Sequence, residues 1–140
     1  MALTGGGGSP NVSGGGNPAG TGTSVNYIGN HAYAYSGTIA IGSGNTTMLD
    51  FTTAANTYIL AEIEFHGDIS GVGNAETVFL IKIDGQDVSK TEWNATVDHT
   101  LMDTPTRLIL SPATRVQVQM AQASGGDINF QATMTGRVYA

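Results

Sequence analysis

Three histidines, His31, His66 and His99, are the imidazoles this 140-residue sequence could use as general bases. A hydrolytic site would need one of them to meet a nucleophile and an orienting group in space. Serine and threonine are abundant enough to complete such a trio by chance, yet no nucleophile-elbow, metalloprotease or phosphate-loop spacing is present. His66 ends a strand pattern beside Gly67 and His99 falls in a loop pattern. The expectation is a non-enzymatic chain with no catalytic residue and no cofactor.

Glu62 and Glu64 share one face of a strand, a spacing that suits glycosidases when a second strand supplies the partner. Cross-strand ion pairs with Lys82 and Arg115 are the simpler expectation. Asp84, Asp87 and Glu92, and separately Asp98 and Asp103, put hard oxygen ligands in loops, as calcium requires. Neither set has EF-hand spacing, and Asp84-Gly85-Gln86-Asp87 reads as a turn whose carboxylates cap backbone groups. No metal site is assigned. Tyr27, Tyr33, Tyr35 and Trp93 could offer flat ring faces to a sugar. Tyr33 and Tyr35 fall on one parity with Ile39 and Ile41, which favours rings closing the end of a core. Trp93, between Glu92 and Asn94, suits an exposed contact or a subunit interface.

The elements that must hold these residues are strands. From Tyr27 onward the apolar period is two. Ile59, Ala61, Ile63 and Phe65 form one face of a strand, with Glu62, Glu64 and His66 on the other. Phe79, Ile81 and Ile83 repeat the design, and apolar Val78 and Leu80 opposite them mark a central strand covered on both sides. Val116, Val118 and Met120 alternate with glutamines, and Ile128, Phe130, Ala132 and Met134 alternate with polar residues. These last two strands are expected to pair as a hairpin through Ala123-Ser124-Gly125-Gly126-Asp127. Further strands are expected over 32–41, 46–51, 86–93 and 107–110. About eight short strands without a helical period predict an all-β antiparallel sandwich, a jelly roll ahead of an immunoglobulin-like one.

Composition bounds the rest. The length suits one domain with an arm: a Gly-rich arm over residues 1–24 and a β-sandwich over 25–140. No Asp, Glu, Lys or Arg precedes Asp50. The arm's glycines lose much backbone entropy on ordering, and Leu3 and Val12 are its only sizeable apolar anchors, so a partner must supply its order. Fully extended it reaches about 70 Å, against about 25 Å as a coil. Charged residues make up 11% of the chain, well below the ~25% usual in soluble domains. The net charge of −6 and five scattered cations, Lys82, Lys90, Arg107, Arg115 and Arg137, argue against nucleic-acid coating. Without cysteine there is no disulfide, thiolate nucleophile or cysteine-ligated zinc. No signal-peptide pattern and no run of about 20 apolar residues is present, so the expectation is a soluble protein made in the host cytoplasm, without membrane contact. Three Asn-X-Ser/Thr triplets read as chance in a chain rich in Asn and Thr.

A strand-dense body, an uncharged Gly-rich arm, and the segments Ser111-Pro112-Ala113-Thr114-Arg115 and Thr135-Gly136-Arg137-Val138 resemble the small single-jelly-roll structural proteins of virus and phage particles. The resemblance implies a capsid decoration, cement or minor capsid protein, located in the virion. It would form homo-oligomers, trimers favoured, and dock on the major capsid protein or other virion subunits through its arm. Leu3, Val12, Val78, Leu80, Trp93, Leu108 and Leu110 are the candidate interface residues. The alternative is a carbohydrate- or receptor-binding module contacting a glycan through Tyr33, Tyr35 and Trp93.

Overall fold

A computed structural model describes residues 24–67, 76–94, 105–122 and 128–140, with only the backbone of Glu76, Trp93 and Asn94. Ten strands fall within them: β1 (Asn26–Ile28), β2 (His31–Tyr35), β3 (Ile39–Ile41), β4 (Thr46–Thr52), β5 (Tyr58–Gly67), β6 (Glu76–Ile83), β7 (Gln86–Asn94), β8 (Thr106–Leu110), β9 (Arg115–Gln122) and β10 (Ile128–Tyr139). They form two antiparallel sheets, one ordered β4-β9-β6-β7, the other β1-β2-β10-β5-β8 with β3 also on β10. The arm except Ser24, and with it Leu3 and Val12, lies outside the described residues.

The pairing follows one rule. β2 and β3 pair with β10, β4 with β9, β5 with β8 and β6 with β7, while successive pairs alternate between sheets. The chain is thus one long antiparallel hairpin wrapped around a core, which is the jelly-roll arrangement. Its tip is the two-residue turn Asp84-Gly85, where φ values of 48° and 82° give the primed turn that matches strand twist. The two legs also meet where both cross between sheets. There the buried Thr53 donates from Oγ1 to the Ser111 carbonyl at 2.6 Å and accepts from the Thr114 N–H at 2.9 Å.

This topology overturns the expected hairpin of the last two strands. β9 lies in the four-stranded sheet and β10 in the six-stranded one. Alternation shows that each strand has an apolar face, and both faces do point inward, but from opposite sheets. The expected strand over 32–41 is also broken, at Ser36 and Gly37, the latter with φ 71°. The break shifts the parity, so Ile41 is fully buried while Tyr33 and Tyr35 turn outward. Ser36 repairs the ladder across the gap: its Oγ accepts from the Ala132 N–H at 2.8 Å and its N–H donates to the Ala132 carbonyl at 3.0 Å.

Between the sheets the core is closed at one end by Phe65, Phe79 and Phe130, with centroids 4.7 and 6.0 Å apart in tilted or edge-on geometry. Gly67 stands opposite Phe130 in the ladder, where a Cβ would come within 2.6 Å of that ring. A bulge in β4 leaves Met48 without a partner on β9 and turns both Met48 and Leu49 inward. The outer face of the four-stranded sheet is polar apart from Val78 and Leu80 of β6 and Ala121 of β9. Arg115 grips Asp50 with two hydrogen bonds of 2.9 and 2.6 Å, and Gln117 donates a third at 3.2 Å. The hydrogen bonds from Arg115 hold the Asp50 carboxyl below its ordinary range, against the opposing effect of partial burial.

Ser36→Ala leaves the buried Ala132 N–H without its acceptor and is expected to cost about 1–3 kcal/mol in urea denaturation. Asp50, with its folded-state pKa lowered, stabilises the fold above its unfolded value of 3.8 and loses that contribution as pH falls through the lower folded value. The melting-temperature gap between the wild type and Asp50→Asn is therefore expected to be widest at neutral pH and to close below pH 3.8; a gap independent of pH would contradict this assignment.

Candidate functional site

β10 runs through the middle of the six-stranded sheet and presents Gln131, Thr133, Thr135, Arg137 and Tyr139 on the outer face. Because β2 and β5 flank it in register, cross-strand rows form. Tyr33, Thr135, Glu62 and Arg107 make one row, His31, Arg137, Leu60 and Ile109 the next, and Tyr35, Thr133 and Glu64 another. These rows bound a hollow of about 670 Å³. The Tyr33 and Tyr35 rings line it, 5.2 Å between centroids and 35° between planes. Beneath lies one row of small residues, Ala32, Gly136 and Ala61. A Cβ on Gly136 would meet Ile59 Cγ2 at 2.5 Å, so only glycine lets β10 and β5 approach this closely.

The polar groups at the hollow are fixed by local pairing. Arg107 Nε donates to Glu62 Oε1 at 2.8 Å. Arg137 stands over the Tyr139 ring, 5.7 Å from its centre. A second hollow of about 400 Å³ opens past Tyr35, lined by Gly37, Thr38, Gln131 and Thr133. Tyr35 is common to both.

The sequence-predicted site residues fall out differently. Tyr33 and Tyr35 come together, but on the outer face rather than closing the core. Tyr27 takes the closing role: its hydroxyl accepts from the Ala54 N–H at 3.1 Å, across the rim of the sandwich. Trp93 is placed by backbone alone, opposite Thr77 in the ladder. Leu110 is fully buried and Leu108 packs against the core, so neither offers free surface; Ile109 between them, 68% exposed, does. Leu80 is buried at the middle of its sheet, flanked in register by Gln119 and Lys90, and Val78 is half-buried. Glu62 pairs with Arg107 and Glu64 with His66 at 3.1 Å, not with Lys82 and Arg115, which belong to the other sheet.

Among the carboxylates weighed for calcium, Asp84 Oδ1 accepts from the Arg115 N–H at 2.9 Å, Asp87 pairs with Lys82 and Glu92 with Lys90. They do not converge, and Asp98, Asp103 and His99 lie outside the described residues. Arg107, Arg137, Leu60 and Ile109 were missed as site residues. The register that aligns them is non-local; the only signal in the sequence was an apolar residue, Leu60 or Ile109, on the polar parity of its strand.

No protein-family model matches the chain, and no curated protein sequence matches it. Among solved structures it is similar to VP2 of the infectious bursal disease virus subviral particle, at 13% identity and a TM-score of 0.41 over 77% of this chain and 31% of that one. It is also similar to xylanase 10C of Cellvibrio japonicus, solved with xylopentaose, at 12% identity and a TM-score of 0.33, over 81% of this chain and 24% of that one. A third likeness is to the accessory secretory protein 1, 2 and 3 structure of Streptococcus pneumoniae, at 10% identity and 0.34, over 88% and 91%. The chain thus spans less than a third of the first two.

The contrast between neighbours in β8 is directly measurable. Leu110→Ala is expected to cost about 2–5 kcal/mol through the cavity it opens, whereas Ile109→Ala should stay within about 0.5 kcal/mol. Chemical denaturation of the two variants checks this, and equal losses would contradict the placement of β8.

Proposed function

We propose that this chain is a non-enzymatic virion structural protein, a capsid decoration, cement or minor capsid subunit, whose jelly roll associates with further copies and with neighbouring virion subunits. One observation carries the reading: the asymmetry of the two outer faces. The large hydrophobic side chains exposed among the described residues are Tyr27, Ile28, Tyr35, Tyr58, Leu60, Ile109, Tyr139 and Val88; Tyr27 stands at the rim opposite the inward Ala32, and of the others all but Val88 lie on the outer face of the six-stranded sheet. Ile28 stands at one end of the row of His31 and Arg137 and Leu60 and Ile109 at the other, and Tyr58 and Tyr139 make the row beyond. A sheet face carrying this many exposed rings and aliphatic side chains is how a surface meant to be covered is built.

Two features of the sequence support it. The scarcity of charge lowers the desolvation cost of close approach. The uncharged Gly-rich arm over residues 1–24 suits a tether that lies along a neighbouring subunit, with a trimer and the major capsid protein as the partners the resemblance implies.

A second reading, a carbohydrate- or receptor-binding module, is favoured by the Tyr33–Tyr35 pair. Two rings side by side on a sheet face are available to a ligand in a way that core-closing rings are not.

Native mass spectrometry of the full chain, of residues 25–140 and of the Leu60→Ser/Ile109→Ser double variant tests the first reading. The full chain is expected to give a discrete oligomer. The double variant should shift it toward monomer while the melting temperature stays near that of the wild type, because both side chains are exposed. A full chain that is monomeric at every concentration would overturn the reading.

A further inference from the structure

Four of the five lysine and arginine side chains are tied to a carboxylate: Lys82 to Asp87, Lys90 to Glu92, Arg107 to Glu62 and Arg115 to Asp50. Arg137 has no carboxylate partner among the described residues. In a chain of net charge −6 such a cation is conspicuous. It lines the hollow that Tyr33 and Tyr35 line, with His31 opposite it in one register row and Thr135 two residues before it on the same strand. A contact with the face of Tyr139 leaves the N–H fork of its guanidinium available, and that fork matches the two oxygens of a carboxylate.

The neighbouring chemistry extends this point into a groove. Going back along β10 from Arg137, the outward side chains Thr135, Thr133 and Gln131 all carry hydrogen-bonding groups, and they lead from the first hollow to the second with Tyr35 beside both. Ring faces, hydroxyls and an amide in a line suit a chain of sugars, whose faces are apolar and whose edges are hydroxyl. The far end differs electrostatically. Glu64 lies in the row of Thr133, with His66 at 3.1 Å, and would repel a second anionic residue there.

We propose that this groove binds a short oligosaccharide that carries a carboxylate on its terminal sugar only. The acid lies on Arg137, sugar faces lie against Tyr33 and Tyr35, and the uncharged remainder runs along Thr133 and Gln131. This deepens the binding reading given above and rests on it. It leaves Ile28 and Ile109, at the two ends of the Arg137 row, and Tyr58 and Tyr139 in the row beyond, to subunit contact.

Isothermal titration of the full chain with 3′-sialyllactose, lactose and tetragalacturonate tests it. Sialyllactose is expected to bind about tenfold more tightly than lactose, the scale of one charge-assisted contact, and more tightly than tetragalacturonate, whose further carboxylates meet Glu64. Arg137→Gln should abolish the preference over lactose without weakening lactose itself, and Tyr33→Ala should weaken both. Lys90→Gln, which removes the same charge from the other sheet, should change neither. Native mass recorded on each variant separates a lost ligand site from a lost assembly. Equal binding of lactose and sialyllactose would overturn acid recognition while leaving a sugar module standing. No binding of any of the three would overturn both, and a preference that survives Arg137→Gln would remove the residue from the site.

Discussion

The pairing of β10 on both its edges is the constraint on which the molecule depends. On one side it meets β2 and β3, the first long strand region of the chain; on the other it meets β5 along ten consecutive register positions, from Phe130–Gly67 to Tyr139–Tyr58. Once β10 lies against β2 and β3, the intervening chain can only fold back on itself, leg against leg, to the Asp84-Gly85 tip. The crossing loops then run side by side, and Thr53 and Thr114 join them. Such contacts are far apart in sequence, so their loop-closure entropy must be met before the Phe65–Phe79–Phe130 cluster repays it.

The same register builds the outer face. Strands locked in phase place Tyr33, Thr135, Glu62 and Arg107 in one line, though they come from four separate strands. A slip of one residue in β10 would turn Arg137 and the threonines inward and expose Met134 and Phe130. Core burial therefore holds the outer face in place: the fully buried Ala132 and Met134 fix where Thr133 and Thr135 stand.

Charge is used sparingly and locally. The ion pairs sit on exposed faces, where each contributes little to stability. Their larger effect is to neutralise nearly every cation, so that the surface approaches partners mainly through hydroxyls, amides and a few rings. Against that background the Arg137 guanidinium over Tyr139 and the adjacent exposed pair Leu60 and Ile109 stand out physically, since among the described residues no carboxylate meets the first and no apolar layer covers the second.

Much of the fold was legible in the sequence. The two-residue period in Ile59–Phe65 and Val116–Met120 follows from strand geometry itself, and the inward residues it marks are buried, save Phe65, which is partly buried against the core. The Asp84-Gly85 turn was legible because left-handed backbone favours Gly and tolerates Asp. The broken strand was not: Ser36-Gly37-Thr38 shifts the parity, so Tyr33 and Tyr35 leave the face that Ile39 and Ile41 share. Leu108 and Leu110 looked like spare apolar residues because nothing local shows that β8 pairs with β5. The sequence by itself determined the all-β class, the strand positions, the inward parity of most strands and the scarcity of charge. The tertiary structure alone decided which sheet each strand joins, that β9 and β10 part company, and which residues meet at the outer hollow. The physical reason is that alternation is a property of one strand, whereas sheet membership and register arise between strands distant in the chain.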